Sequence, residues 1–343
     1  MKNRYYTLQK DKGNYCITLK KNPVLYQYRS VNDYSVRALL HSEIWATVPT
    51  AFNDPYDSVF CYNESLIKKE IKKYITKENV DKYVSIILPS NESKIYSITD
   101  LVDYIYKQFV GDQVTRFKET LCVSCFSEVY DSEIMWAHYA KNATGFCLAY
   151  DSRIIKDVAQ QHRNDFLNYV RENDLLGIDL SEYNEDYLES LVPVVYANYK
   201  HNRDEQLLDY VHMLFRYFGM LLAGEDFQMA YKWFLKESMD NHYKKFSQTI
   251  PLYSTISVKQ KVWAYEKEWR IWSYNSNPLA GNVSSKYVKL GYANPSAIYL
   301  GEYISEYDEI ALKEIAQQRL NIPIYKMKSK MGRNTMKLIP YQI

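Results

Sequence analysis

Strand-like segments gather near the two ends of this chain, and a long, mostly helical stretch lies between them with no Gly/Pro-rich linker marking either boundary. A sheet built from such a sequence must draw its strands from distant parts of the chain. That points to an α+β fold with mixed or antiparallel sheets. At the N-terminal end, Pro23 to Ser30 (PVLYQYRS) alternates Val24, Tyr26 and Tyr28 on one face. Asn32 or Asp33 can cap a helix through Leu40, and Glu43 to Val48 is a short strand that Pro49 ends. Leu121 to Ser127, a helix from Glu133 to Lys141 capped by Ser132, and Phe146 to Tyr150 form a strand–helix–strand unit, with Gly145 at the second turn. The late strands are Trp263 to Tyr274, Tyr287 to Leu290, Ala297 to Leu300 and Pro323 to Met327, with a helix over 306–320.

Residues 64–111 carry helical spacing, and so does most of 152–258 apart from a strand at Val192 to Tyr199. Leu207 to Leu222 is apolar nearly all round and must be buried. The reading is one domain over 1–343 with 152–258 as a helical insert. At 47% hydrophobic and 24% charged residues the chain can bury a core. A net charge of +2 argues against a protein whose main work is wrapping nucleic acid. Five scattered cysteines suit a reducing compartment. No apolar run reaches the roughly 18 residues of a membrane span. Cytoplasmic location is expected, with no membrane partner and no indication of oligomeric state. The 35 tyrosines fit codon bias, since Lys, Asn and Ile are also plentiful.

The densest chemical signal is Tyr265-Glu266-Lys267-Glu268-Trp269-Arg270. Read as strand, it points Glu266, Glu268 and Arg270 one way, with the two carboxylates about 6.6 Å apart. Carboxylates that close raise each other's pKa unless a cation intervenes, and Arg270 is the candidate cation. A second signal is the unit from Val123 to Asp151, in which Ser127 ends a strand and Met135, Trp136, His138 and Tyr139 follow on a helix. The third is Tyr28-Arg29-Ser30 at a strand end, followed by the turn Asn53-Asp54-Pro55-Tyr56-Asp57; Arg29 suits an anion or a partner among Asp54 and Asp57. Cys122 and Cys125 lack the second pair that a zinc site needs, and no metal-ligand spacing, phosphate loop or nucleophile elbow is present.

Taken in order, LYQYRS (25–30), FNDPYD (52–57), CFSE (125–128), MWAHYA (135–140), GFCLAYD (145–151), WAYEKEWR (263–270) and IYLG (298–301) resemble the bacterial family called domain of unknown function 2971. The departures are Tyr56 and Ala149. That resemblance implies no activity. Arg29, Ser127 and Glu266-Lys267-Glu268 also resemble, in order and type, the layout of ADP-ribosyltransferases, which bind NAD in a cleft between two small sheets. This second resemblance implies an ADP-ribosyltransferase-like core using NAD, for transfer to a protein or nucleic-acid acceptor or for hydrolysis. The implied setting is a toxin or phage-defence effector. By that resemblance Arg29 holds the phosphates or ribose, Ser127 supports the nicotinamide half, Glu268 stabilises the sugar cation and Glu266 orients the acceptor. Tyr28, Trp136 and Tyr139 are the stacking candidates; Asn53, Asp54, His138 and Arg270 are further substrate contacts. Two other readings stand beside it: a metal-dependent nuclease or hydrolase on Asp54, Asp57, Glu266 and Glu268, and a non-catalytic sensor whose polar motifs pair off internally.

Overall fold

In a computed structural model, residues 4–11, 14–88, 97–173, 190–198, 201–246, 256–277, 285–332 and 336–343 are described. In chain order the strands are β1 (Tyr6–Asp11), β2 (Asn14–Leu19), β3 (Val24–Arg29), β4 (Glu43–Thr47), β5 (Phe60–Cys61), β6 (Leu121–Ser127), β7 (Phe146–Asp151), β8 (Leu191–Pro193), β9 (Val195–Tyr196), β10 (His201–Asn202), β11 (Val258–Lys259), β12 (Glu268–Tyr274), β13 (Tyr287–Tyr292), β14 (Ala297–Leu300), β15 (Ile324–Met331) and β16 (Met336–Gln342). The helices are α1 (Asp33–Leu40), α2 (Glu64–Tyr74), α3 (Val80–Ile87), α4 (Ile98–Ile105), α5 (Gln113–Thr120), α6 (Glu133–Tyr139), α7 (Ser152–Glu172), α8 (Asp204–Leu222), α9 (Phe227–Phe246) and α10 (Glu306–Glu314).

Ten strands form one mixed sheet, ordered β13-β4-β6-β3-β7-β14-β15-β16, with β12 and then β8 attached through β6. Among the described strands only β14 and β15 run parallel within it. The chain is therefore α+β, as the scattered strand segments require. The expected unit over 121–151 is present. Ser132 Oγ accepts from the backbone of Met135 to start α6, and Asn32 caps α1. These are local choices, fixed by side chains that satisfy the orphan donors of a first helical turn.

Strand parity divides the sheet into two faces. One face carries Leu25, Phe126, Leu148, Tyr150, Trp269 and Ile271, buried under α1, α7 and the segment from α10 to Ile322. The other carries Tyr26, Tyr28, Cys125, Ser127, Glu268 and Arg270; α6 packs there on β3, and α5 on β6. A separate helical core joins α2, α3 and α4 to α8, with Ile67, Ile71, Leu101, Ile105, Val211 and Phe218 at its centre. The apolar segment 207–222 thus finds its partners in the earlier helices. The 152–258 stretch divides: α7 packs on β12 and β13, β8 joins the main sheet, and α8 joins the helical core. Residues 174–189 and 247–255 of that stretch lie outside the described residues.

The strand expected at Val192 to Tyr199 is split into β8 and β9, with 195–196 leaving the main sheet to pair with β11; Tyr199 lies outside the described residues. A larger difference concerns the strand expected over 263–274. Residues 261–266 form a 3-10 helix, Lys267 takes a left-handed φ of 44°, and the strand begins only at Glu268. Glu266 and Glu268 are therefore not two positions on one strand face.

Candidate functional site

β6 is where the sheet forks. Along one edge it pairs with β12 through seven positions, Glu268↔Ser127 to Tyr274↔Leu121. Its other edge is shared: β3 meets it at Tyr26↔Ser127 and β4 at Thr47↔Val123. Two strands competing for one edge leave a gap between them. Over this fork lies a cavity of about 430 Å³, lined by Tyr26 and Tyr28 of β3, Thr47 of β4, Cys125 to Ser127 of β6, and Tyr287 of β13. The 51–53 turn, Asp57, Met135, His138, Tyr139, Lys259, Glu266 and Glu268 complete it. Its volume falls in the range of small-molecule sites, roughly 300–1,000 Å³.

One wall belongs to a buried cluster of three carboxylates and two cations, of which Asp57, Lys259, Glu266 and Glu268 line the cavity and Arg270 lies behind them. Arg270, fully buried on β12, spreads its guanidinium over Asp57 (2.6 and 2.9 Å) and Glu268 (2.7 and 3.1 Å), and Nη1 also donates to the carbonyl of Ile256. Lys259 Nζ lies 2.6 Å from Glu266, 3.1 Å from Glu268 and 3.5 Å from Asp57. The expected role of Arg270 as the cation between Glu266 and Glu268 therefore belongs to Lys259. Arg270 joins Glu268 to Asp57 instead.

Each member is delivered by local structure. Asp54 Oδ1 accepts from the amide of Tyr56, and Asp57 N bonds the carbonyl of Asp54, so the Asn53-Asp54-Pro55 turn presents Asp57 inward. Lys118 Nζ holds the same turn through the carbonyl of Pro55. Pairing of β11 with β9 brings Lys259 beside Tyr196, whose hydroxyl accepts from the amide of Glu268 at 2.8 Å. Ser127 Oγ donates to the carbonyl of Glu266 (2.6 Å) and accepts from the amide of Val129, so it fixes the turn into β12. The left-handed Lys267, a costly conformation for a residue with a side chain, is held where Glu128 N bonds its carbonyl.

Three carboxylates facing two cations leave one negative charge in excess. Burial raises the Glu266 carboxyl, neighbouring Glu268 raises it further, and Lys259 only partly offsets this, so it settles at about 7. Burial would also raise Asp57 and Glu268, but Arg270 and Lys259 hold both below the usual carboxylate range. Burial opposes the charge on Lys259, yet the carboxylates of Glu268, Asp57 and Glu266 carry its pKa well above the usual lysine value. Glu266 is thus the member whose proton is exchanged near neutral pH. Its Oε1 takes the hydroxyl of Tyr139 at 2.5 Å.

The cavity brings together Tyr28, Asn53, Ser127, His138, Tyr139, Glu266 and Glu268 from the residues expected at a site. It does not include Arg29, Trp136, Asp54 or Arg270. Arg29 follows Tyr28 on the same strand, shares a face with Leu25 and Gln27, and so points to the opposite side of the sheet. Trp136 is core: its Nε1 donates to the carbonyl of Tyr130, and its ring meets Tyr28 edge-on at 5.2 Å. His138 Nδ1 bonds the Tyr265 hydroxyl at 3.1 Å near the mouth. Lys259 was not singled out from sequence, and neither was Tyr196. Among the described residues no group of three His, Cys, Asp or Glu side chains is placed to hold a metal ion. Among the same residues no helix is long and apolar enough to cross a membrane.

Residues 135–271, which carry Tyr139, Lys259, Glu266, Glu268 and Arg270, match the model of the family described as a protein of unknown function, DUF2971. The resemblance drawn from the sequence motifs therefore holds across the core of the chain. No curated protein and no solved structure matches it.

Proposed function

For a chain whose residues 135–271 match the model of DUF2971, a family whose name assigns no activity, we propose an enzyme that breaks the N-glycosidic bond of NAD, with Glu266 as its general base. The observation that carries this reading is a proton-exchanging carboxyl at about 7, set in an aromatic-lined cavity and held from two sides by Tyr139 and Lys259. A base poised near the working pH is what general base catalysis asks for. Nicotinamide leaves with the electron pair of the C1′–N bond, and the sugar carbon becomes positive. Water or an acceptor hydroxyl forms the new C1′–O bond and gives its proton to Glu266. The carboxylates stabilise the sugar cation more than the ground state, and Tyr28 or Tyr139 stacks on the leaving ring.

The roles differ from those the ADP-ribosyltransferase resemblance implies. Glu268, with both oxygens bound by Arg270 and Lys259, holds the cluster. Glu266 takes the chemistry, Ser127 positions it, and Arg29 has no part in this cavity. Among the described residues no cation free of carboxylate partners lines the cavity, so the phosphates of the substrate lie outside it.

The test is nicotinamide release from NAD by purified protein beside Glu266→Gln. The expected loss is roughly 10²–10⁴-fold, and the wild-type rate should rise with pH through about 7. Equal rates in the two proteins would refute the assignment. One observation favours a second reading, a binding module without catalysis: Arg270, Glu268 and Asp57 satisfy one another internally. NAD that binds but is never cleaved, with or without cell extract as acceptor, would select it.

A further inference from the structure

Tyr26 is a wall of the cavity and also the first ring of a series that leaves it. Its ring lies 5.2 Å from that of Tyr130 and 5.9 Å from that of Tyr299. Tyr130 stacks on Tyr299 at 4.9 Å and 23°, and Tyr299 stacks on Tyr325 at 5.1 Å and 19°. The Tyr26 and Tyr299 hydroxyls bond to each other. These rings stand on β3, on the segment before α6, on β14 and on β15, all on the cavity's face of the sheet. Between β3 and β14 runs β7, which shows the small Cys147 and Ala149 on that face where it passes between Tyr26 and Tyr299, with Asp151 at its far end, so the rings rise above a floor of small side chains.

Four tyrosines used only for packing would be buried together. These are all half-buried. The last ring, Tyr325, faces the exposed Gln342 of β16 across the strand pair, and among the described residues no further ring stacks beyond it. From β3 to β15 is three strand spacings, about 14 Å at roughly 4.8 Å each. A dinucleotide's two rings span such a distance; a single nucleoside does not.

We infer that the Tyr26–Tyr130–Tyr299–Tyr325 series is a second subsite, which stacks the distal aromatic base of the substrate whose bond is broken over Glu266. Each added base–ring stack contributes to binding irrespective of base identity. The series therefore confers a preference for dinucleotides over mononucleotides. The inference rests on the NAD reading of the cavity, yet the two are separable. Adenosine monophosphate probes the series, and nicotinamide mononucleotide probes the cavity.

Binding of both probes is measured by calorimetry for the full chain, for Tyr325→Ala and for Tyr325→Phe, with thermal melts to establish that each variant is folded. Adenosine monophosphate should bind the wild type, weaken roughly tenfold or more in Tyr325→Ala, a single lost stacking contact, and recover in Tyr325→Phe. Nicotinamide mononucleotide should bind all three alike. Adenosine monophosphate that binds Tyr325→Ala as well as wild type, or that binds none of them, overturns the subsite whatever the other probe does. Adenosine monophosphate that depends on Tyr325 while nicotinamide mononucleotide fails to bind supports the subsite and removes the NAD reading of the cavity.

Discussion

Replacing Glu266 with Gln should change how stability depends on pH. The Glu266 carboxyl is held at about 7 against an ordinary 4.5, a difference of about 2.5 pH units, or on the order of 3 kcal/mol at about 1.4 kcal/mol per unit. A folded-state pKa above the unfolded value means that the folded protein binds the extra proton. The contribution is therefore complete below pH 4.5 and is lost as pH rises through 7. Gln is nearly isosteric with the protonated acid: its oxygen can accept from Lys259, and its amide can donate to the Tyr139 hydroxyl. The variant should keep the stability that the wild type has only at low pH. Urea denaturation of both proteins between about pH 4.5 and 8.5 gives the difference directly, and titrations common to both largely cancel in it. The Glu266→Gln variant should gain on wild type by about 3 kcal/mol across that interval, with most of the change between about pH 5 and 7. A difference that is flat with pH would mean that Glu266 titrates normally, and the charge count of the cluster would then be wrong.

Two further perturbations probe the architecture. Lys259→Met leaves Asp57, Glu266 and Glu268 with Arg270 alone and should destabilise by about 3–5 kcal/mol at about pH 8, as for other broken buried ion pairs; the loss in chemical denaturation should shrink at about pH 5, where Glu266 can protonate. Gly301→Ala puts a Cβ 2.1 Å from the carbonyl oxygen of Ala143, a backbone atom that cannot rotate away, so the variant should melt many degrees lower or fail to fold, as circular dichroism on heating would report.

What could be read from the sequence was local. The Asn32 and Ser132 caps, the Asn53-Asp54-Pro55 turn and the strand–helix–strand over 121–151 each depend on residues a few positions apart, and each is present. Glu266 shows how such a reading misleads. Tyr265 to Arg270 has the period of a strand, but a 3-10 turn ending in a left-handed residue carries the same letters, and only the bonds from Ser127 and Glu128 to this turn select it. The cluster itself was half legible. The carboxylates announced themselves, but Lys259 gains its role through the pairing of β11 with β9, a contact between positions more than sixty residues apart. Arg29 was open to correction from sequence alone, because adjacent strand residues face opposite sides and Tyr28 and Arg29 cannot share one pocket.

The pairing of β6 with β12 also governs when the site comes into being. Ser127 and Glu268 are 141 positions apart, and closing so long a loop is entropically costly and slow. During synthesis the early strands and the Asp57 turn emerge long before Arg270, which lies at position 270 of 343. Until then those segments have neither the strand that fills one edge of β6 nor the guanidinium that neutralises Asp57. The grouping of Asp57, Glu266 and Glu268 around Lys259 and Arg270 thus forms only after synthesis has passed β12.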